Sequence, residues 1–215
     1  MGVNLKQFAA GAMGLLIFSA VSLTATPVTV QEVGIGANEI VNITSSTLGD
    51  NLNVYAGVID LLVNGAPTAG FCIDPWHWSI SGPQPYDLVP LAGAPKSPGP
   101  MDAATALKIE QLWQHFYAPG ISGADAAGLQ IAIWELVDLS ITSASFSLNS
   151  SPDYGAGGMI TWVDSNPDAP AANLVAVTGG GQDYVISAPD GGLTAVMLGI
   201  GLLSLSWFRR RMRAA

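Results

Sequence analysis

The sequence predicts an α+β domain with a β-rich core, of the sandwich or barrel type, that carries a helical insertion. Three observations favour this class. Stretches rich in Val, Ile and Thr lie near both ends of the domain, two segments between them have apolar residues at helical spacing, and Gly, Pro and Asn clusters separate these parts. The domain spans residues 26–187, which is long enough for one buried core. A signal helix is predicted before it, in residues 1–25, and a transmembrane helix after it, in residues 188–215.

Turn signals bound the predicted strands. The stretch 54–63 is followed by Asn64-Gly65, a dipeptide typical of a two-residue hairpin turn. The stretch 81–100 is dense in Pro and Gly and has no periodicity, which predicts a loop. The predicted strands lie within 28–63 and at 70–74, 174–178 and 182–187.

Two segments between these strands have the signals of helices. The first is predicted to run from the N-cap residue Asp102 to Tyr117. The second begins at the capping box formed by Ser122 and Asp125 and continues through the apolar segment that follows. A shorter helix is predicted over 159–164. The face of the first helix that is predicted to be buried consists of Ala106, Ile109, Trp113 and Phe116.

Charge divides the chain into three parts. The middle part, residues 26–187, holds fifteen of the sixteen acidic residues and only two of the seven basic ones, which gives it a net charge of −13. Such a field repels polyanions, and nucleic-acid binding requires a basic surface. We therefore exclude nucleic acid as a partner.

The N-terminal part has the pattern of a secretory signal peptide. Lys6 supplies the positive n-region, residues 8–21 supply the apolar h-region, and small residues permit cleavage after Ala25. The apolar run is short for a membrane span. We therefore expect the secretion machinery to export the chain and this segment to be removed.

The C-terminal part combines a turn motif, an apolar run over 193–208 and a basic end. The basic end is expected to stop transfer and to stay in the cytoplasm. This order resembles the PEP-CTERM sorting signals, in the variant whose core is Val-Pro-Asp-Gly-Gly (VPDGG), with Ala188 in place of the valine. The resemblance implies that an exosortase-type enzyme cuts at the motif and releases the protein to the cell surface, and that the helix anchors the chain in the membrane until then. The motif residues are Pro189, Asp190, Gly191 and Gly192, and the stop-transfer residues are Arg209, Arg210 and Arg211.

Cys72 is the single cysteine, so the exported chain has no partner for an internal disulfide. One interpretation is a buried, inert thiol, and another is an intermolecular disulfide. A third involves Gln130, which shares a helix face with apolar side chains, where an amide is costly unless it is satisfied. Ordinary hydrogen bonding would satisfy it. So would a covalent bond, in which the Cys72 thiolate attacks the Gln130 side-chain carbonyl, ammonia leaves and an internal thioester remains.

Two motifs make this third interpretation specific. Phe71-Cys72-Ile73-Asp74, followed by Gln130-Ile131-Ala132-Ile133-Trp134, resembles the thioester domains of bacterial surface adhesins. Those domains pair an aromatic-Cys motif on a strand with a Gln-x-Ala-Ile-Trp motif on a helix. Gly181-Gln182-Asp183-Tyr184-Val185 is similar to their closing strand, so the resemblance covers residues 40–187. It implies that Cys72 is the thiol partner and Gln130 the acyl partner, with Trp134 packed beside them.

The resemblance also implies a function. The thioester of a cell-surface protein would capture an amine of a surface protein or polymer, for adhesion or attachment to the extracellular matrix. The reaction is single-turnover, so the chain is expected to be a covalent adhesin rather than an enzyme, and no cofactor is expected. Phe71 and Trp134 would keep the bond dry. Asp74 or His77 would assist proton transfer while the thioester forms.

A non-covalent alternative remains open at this stage. The Trp76-His77-Trp78 cluster would suit a matrix or carbohydrate-binding protein that stacks on exopolysaccharide, although the same rings also suit a core. Cys72, His77 and His115 make a weak metal-ligand set, so no metal is predicted. A Cys–His hydrolase is disfavoured because no nucleophile motif surrounds Cys72.

Overall fold

The computed structural model describes residues 25–141, 145–149 and 152–189. The predicted α+β class with a β-rich core is confirmed. The predicted signal helix, the sorting motif beyond Pro189 and the predicted transmembrane helix lie outside the described residues. Within the described ranges, no helix is long and apolar enough to cross a membrane.

The elements are β1 (Thr26–Ser45), β2 (Gly49–Val63), β3 (Ala66–Cys72), β4 (Gln84–Pro90), a 3₁₀ helix (Leu91–Gly93), α1 (Ala103–Phe116), α2 (Gly123–Ser140), β5 (Phe146–Leu148), α3 (Ala156–Ser165), β6 (Leu174–Gly179) and β7 (Tyr184–Ser187).

The strands form one antiparallel sheet in the order β2-β3-β7-β6-β4-β1-β5, and β1 also pairs with β2. Because of this additional pairing, the pairings β1-β2-β3-β7-β6-β4-β1 form a closed circuit. The 20-residue strand β1 serves both neighbours, since Thr26–Val30 pairs with β4 and the stretch from Val30 to Ser45 pairs with β2. Register shifts along β1 mark irregularities of the kind that bend a strand.

The helix α2 is the centre of the core. It packs against the strands β1 and β2 and against the helices α1 and α3. All nine residues from Ala126 to Trp134 are buried, as expected for a helix that is apolar on every side. Gly128 permits the close approach of the segment before α3, because a Cβ there would collide with the backbone carbonyl of Tyr154.

The predicted helix starts are confirmed. The Asp102 carboxylate accepts a hydrogen bond from the backbone N–H of Thr105 at 2.7 Å, and the Ser122 hydroxyl accepts one from that of Asp125 at 3.1 Å. Both caps satisfy donors that the first turn of a helix leaves free. The third helix is longer than predicted and begins at Ala156.

The prediction of a loop throughout 81–100 is wrong. Residues Gln84–Pro90 form β4, which pairs with β1 and with β6. Its prolines lie at or next to its two ends, while Tyr86 is buried and its ring centroid lies 6.3 Å from that of Tyr184. A high proline content argues against a strand in sequence, and here the pairing on both sides overrides that signal. The three-residue strand β5 was too short to predict.

Candidate functional site

The site lies where β3 ends and loses one of its neighbours. Cys72 is the last residue of β3 and is opposite Tyr184 of β7, whereas the pairing of β3 with β2 stops at Gly70. The N–H of Ile73 donates to the carbonyl of Asp183, on the β7 side. Backbone groups of successive strand residues point to opposite sides. The N–H and C=O of Cys72 therefore point to the side that β2 has left.

The side-chain amide of Gln130 occupies that side. The Cys72 N–H donates to Gln130 Oε1 at 2.9 Å, and Gln130 Nε2 donates to the Cys72 carbonyl at 2.7 Å. The amide thus takes the place of a peptide group in a neighbouring strand, and both residues are almost fully buried. The structure brings together the two residues that the sequence pairs, 58 positions apart.

The thiol of Cys72 is held in a setting that favours its protonated form. Burial raises the pKa of the thiol well above its usual range, and the negative charge of Asp74 raises it further. The backbone N–H of Asp74 donates to the sulfur at 3.2 Å, and this hydrogen bond lowers the pKa of the thiol. A reaction through this sulfur therefore requires a group that takes up the thiol proton.

Trp134 lies one helical turn beyond Gln130 and faces the same sulfur. Its indole N–H lowers the pKa of the thiol, although its geometry falls short of a full hydrogen bond. Nε1 of Trp134 is buried and has no other partner among the described residues. A buried donor without an acceptor is costly, so this N–H is available to oxygen or charge that develops beside the sulfur.

Asp74 and His77 form a pair next to the thiol. Nδ1 of His77 lies 2.9 and 2.8 Å from the two carboxylate oxygens of Asp74. Burial raises the pKa of the Asp74 carboxyl, and the hydrogen bond and charge of His77 act against that rise. When the imidazole is neutral and its proton is on Nδ1, facing the carboxylate, Nε2 of His77 is an acceptor. Gln182 supports the pair, since its amide donates to the carbonyls of Asp74 and His77 at 3.4 and 3.3 Å.

A cavity of about 250 Å³ connects this site to the surface. The thiol is otherwise enclosed, because Cys72 is only 2% exposed. Cys72 is one of the residues that line the cavity, so a molecule that enters from solvent meets this residue. Its walls include Glu32, Tyr55, Cys72, His77, Trp78 and Trp134.

Phe71 lies on the face of β3 opposite the thiol, because consecutive strand residues alternate. Its ring makes edge-to-face contacts with Trp113 and Tyr117, at centroid distances of 5.3 and 5.6 Å. Phe71 does not line the cavity. It fixes the end of β3 against α1, and Trp134 is the aromatic residue that covers the sulfur side.

The Trp76-His77-Trp78 cluster divides into a buried and an exposed part. Trp76 is 1% exposed, and its indole N–H donates to the carbonyl of Ser145 at 3.2 Å. Trp78 is 55% exposed and lies on the wall of the cavity. Trp76 is therefore a core residue, and of the two tryptophans only Trp78 is exposed to solvent.

A second buried carboxylate was not singled out from the sequence. Asp183 accepts hydrogen bonds from the backbone N–H groups of Lys96 and Gly179, at 2.6 and 2.8 Å. Burial raises the pKa of Asp183 to about 6, although these two hydrogen bonds lower it, and the charge of Asp74 adds to the rise. The motif that contains Asp183 was noticed, but its burial depends on the loop around Lys96, which no local pattern reveals.

The other histidine lies away from the site. His115 is on α1, and its ring stacks on that of Trp162 at a centroid distance of 3.9 Å. Across the part of the chain that the structure describes, no three His, Cys, Asp or Glu side chains are grouped so as to hold a metal ion. Comparison with known proteins found no matching family model, no matching curated protein and no matching solved structure.

Proposed function

We propose that this chain is an exported cell-surface protein in which Cys72 and Gln130 join in an internal thioester that captures amines covalently. The observation that carries the proposal is the pair of hydrogen bonds, at 2.9 and 2.7 Å, between the Gln130 amide and the backbone of Cys72. These bonds hold the side-chain carbonyl of Gln130 next to the residue that carries the thiol. Such positioning replaces a bimolecular encounter by a unimolecular step.

Closure of the bond would proceed by attack of sulfur on the side-chain carbonyl carbon Cδ of Gln130. The C–S bond forms, the C–N bond breaks, and the proton of the thiol leaves with the amide nitrogen as ammonia. The backbone N–H of Cys72, which already donates to Oε1 at 2.9 Å, would stabilise the negative charge that develops on that oxygen. The unpartnered indole N–H of Trp134 is a second donor beside the reacting sulfur.

Capture of an amine would transfer the acyl group of residue 130 from the sulfur of Cys72 to the nitrogen of the amine. The amine attacks the acyl carbon, the C–S bond breaks, and a stable amide joins residue 130 to the captured molecule while Cys72 returns to the free thiol. Each chain reacts once, so the protein would act as a covalent adhesin or matrix-attachment protein and not as an enzyme. Burial of the pair supports this proposal, because a dry site slows hydrolysis of the thioester.

The proposed location follows from the two ends of the sequence, which lie outside the described residues. A signal peptide over residues 1–25 would bring the chain to the envelope. The PEP-CTERM-like segment 188–215 would then present it to an exosortase-type sorting enzyme, with the apolar helix as the temporary anchor. The captured amine would belong to a protein or polymer outside the cell.

Intact mass spectrometry tests the thioester directly. The purified chain is expected to weigh about 17 Da less than the part of the sequence that it retains after processing, because ammonia leaves. Cys72→Ala, the matched control, should show no deficit. Methylamine should add to the closed chain and expose one thiol. A chain at its full sequence mass, with Cys72 open to alkylation while folded, would contradict the proposal.

A second candidate function rests on the exposed ring of Trp78. This ring and Tyr55, which is 57% exposed, both lie on the cavity wall, so a sugar of an extracellular polysaccharide could stack there without any covalent bond. Trp76 has no part in this candidate, because it is buried. Binding of exopolysaccharide that survives Cys72→Ala and is lost in Trp78→Ala would favour it.

A further inference from the structure

We propose that the cavity beside Cys72 is the access site for a primary alkylammonium group, such as a lysine side chain, and that His77 accepts the proton of the attacking amine. Asp74 would be the positioning residue that orients His77. This inference rests on the proposed thioester and adds to it the route by which the amine arrives and the group that activates it.

The geometry separates the two nitrogen atoms of His77 by role. Nδ1 is held by the Asp74 carboxylate at 2.8 and 2.9 Å, and Nε2 has no hydrogen-bond partner among the described residues. The side chain is 37% exposed and lines the same cavity as the thiol, so an incoming molecule meets it. An imidazole oriented by a buried carboxylate, with its second nitrogen free, has the arrangement of a general base.

The size and charge of the cavity favour an alkylammonium group. Its volume of about 250 Å³ is below the range typical of sites for drug-sized ligands and suits a single side chain. Its walls combine the rings of Tyr55 and Trp78 with the carboxylate of Glu32. Neither lysine of the described residues lines the cavity, so within this part of the chain no lysine neutralises Glu32 there. Aromatic faces and a carboxylate together attract an organic cation.

An amine must lose protons before it becomes an amide. The ammonium form releases its first proton to solvent, and the neutral amine attacks the acyl carbon of residue 130. Nε2 of His77 takes the proton that the nitrogen sheds as the C–N bond forms. The C–S bond breaks and its electron pair stays on sulfur. His77 then passes the proton to the sulfur, whose burial favours the neutral thiol.

The test compares His77→Gln with the parent chain after both have reached the mass deficit of about 17 Da. Capture of methylamine, followed by intact mass, is expected to be about a hundredfold slower in His77→Gln. Capture of hydroxylamine, which is uncharged at neutral pH and sheds its proton more readily, should slow much less. His115→Gln is the matched control and should react as the parent does, because His115 lies on α1 away from the cavity.

Each result bears on one proposal. A parent chain without the mass deficit would contradict the thioester itself. A closed His77→Gln chain that captures methylamine at the parental rate would overturn the role of His77 and leave the thioester intact. If His77→Gln fails to close, His77→Ala is closed in added imidazole, desalted, and assayed with and without imidazole. Restoration of capture by imidazole supports the role of His77, whereas a closed variant whose capture imidazole does not accelerate would overturn it.

Discussion

Two glutamines are buried on neighbouring helices, and their surroundings differ. Gln111 of α1 is 2% exposed, and its Nε2 donates to the carbonyls of Pro167 and Ala169 at 2.8 and 3.1 Å. Gln130 of α2 is 1% exposed and uses both ends of its amide on the backbone of a single residue, Cys72. Both amides are satisfied, so burial and hydrogen bonding do not distinguish a structural glutamine from a reactive one.

The difference lies in what adjoins each amide. The contacts of Gln111 are loop carbonyls, which tie α1 to the segment before β6 and offer no nucleophile. Gln130 meets a residue with a thiol, beside a donor without a partner and an Asp–His pair whose histidine lines a cavity. A buried amide becomes a candidate acyl donor when a nucleophile, an oxyanion donor and a proton acceptor surround it.

The largest expected effect is a difference in thioester formation between substitutions of the two glutamines. Gln130→Ala should abolish the mass deficit and the capture of methylamine, because it removes the acyl carbon. Gln111→Ala, the matched control, should keep both and should lower the free energy of unfolding by about 1–3 kcal/mol, since it removes a buried hydrogen-bonding group. Intact mass and urea denaturation measure these effects. Methylamine capture by Gln130→Ala would contradict the assignment of the acyl partner.

The next effect concerns Phe71, which connects the strand that carries Cys72 to the helix α1. Phe71, beside Cys72, contacts Trp113 of α1, the helix that carries Gln111. Phe71→Ala should lower the free energy of unfolding by about 3–5 kcal/mol, because it leaves a cavity in a fully buried cluster. Trp78→Ala, at an exposed ring, should change it by less than about 0.5 kcal/mol. Equal effects of the two substitutions in urea denaturation would show that Phe71 does not hold the end of β3.

A smaller effect comes from the charge of Asp183, which also acts on the thiol of Cys72. The pKa of Asp183 is about 6 in the folded chain against an ordinary value of 3.8. The folded state therefore binds more protons between these values, and its stability falls as pH rises through about 6. The chain should be about 1 kcal/mol more stable at pH 5 than at pH 7 from this group. Urea denaturation at both pH values measures the difference, and Asp183→Asn should reduce it. An unchanged difference in this variant would contradict the role of Asp183.

The smallest effect concerns the wall of the cavity. Glu32→Gln should slow capture of methylamine by about two- to fivefold, the size of an exposed or half-exposed ion pair, with little change for uncharged hydroxylamine. Glu39→Gln is the matched control, because Glu39 does not line the cavity. Rates from intact mass over time compare the variants. An equal slowing for both nucleophiles would show that Glu32 acts through structure and not through charge.

The sequence predicted the parts of the fold that local signals determine. The caps at Asp102 and Ser122 and the turn at Asn64-Gly65 lie where they were expected, because capping and turn chemistry involve only a few neighbouring residues. The strand β4 was missed because its stability comes from two partner strands far away in the chain, which its prolines conceal.

The sequence also predicted the part of the candidate site that lies within recognisable motifs. Cys72, Gln130 and Trp134 were paired through their motifs, and the structure places them together. Asp74 or His77 was expected to assist proton transfer only from nearness to Cys72 in sequence, and the pairing of the two side chains depends on the loop after β3. The burial of Asp183 and the hydrogen bonds of Gln182 depend on contacts between the connection from β6 to β7 and distant loops, which no pattern in one segment contains.

The central claim is that Gln130 becomes the acyl partner of Cys72. The most direct measurement is intact mass before and after methylamine, followed by peptide mapping of the adduct. The account predicts an initial deficit of about 17 Da, a methylamide located at residue 130, and one new thiol at Cys72. A chain at full sequence mass whose Cys72 alkylates while folded, or a methylamide on another residue, would contradict it.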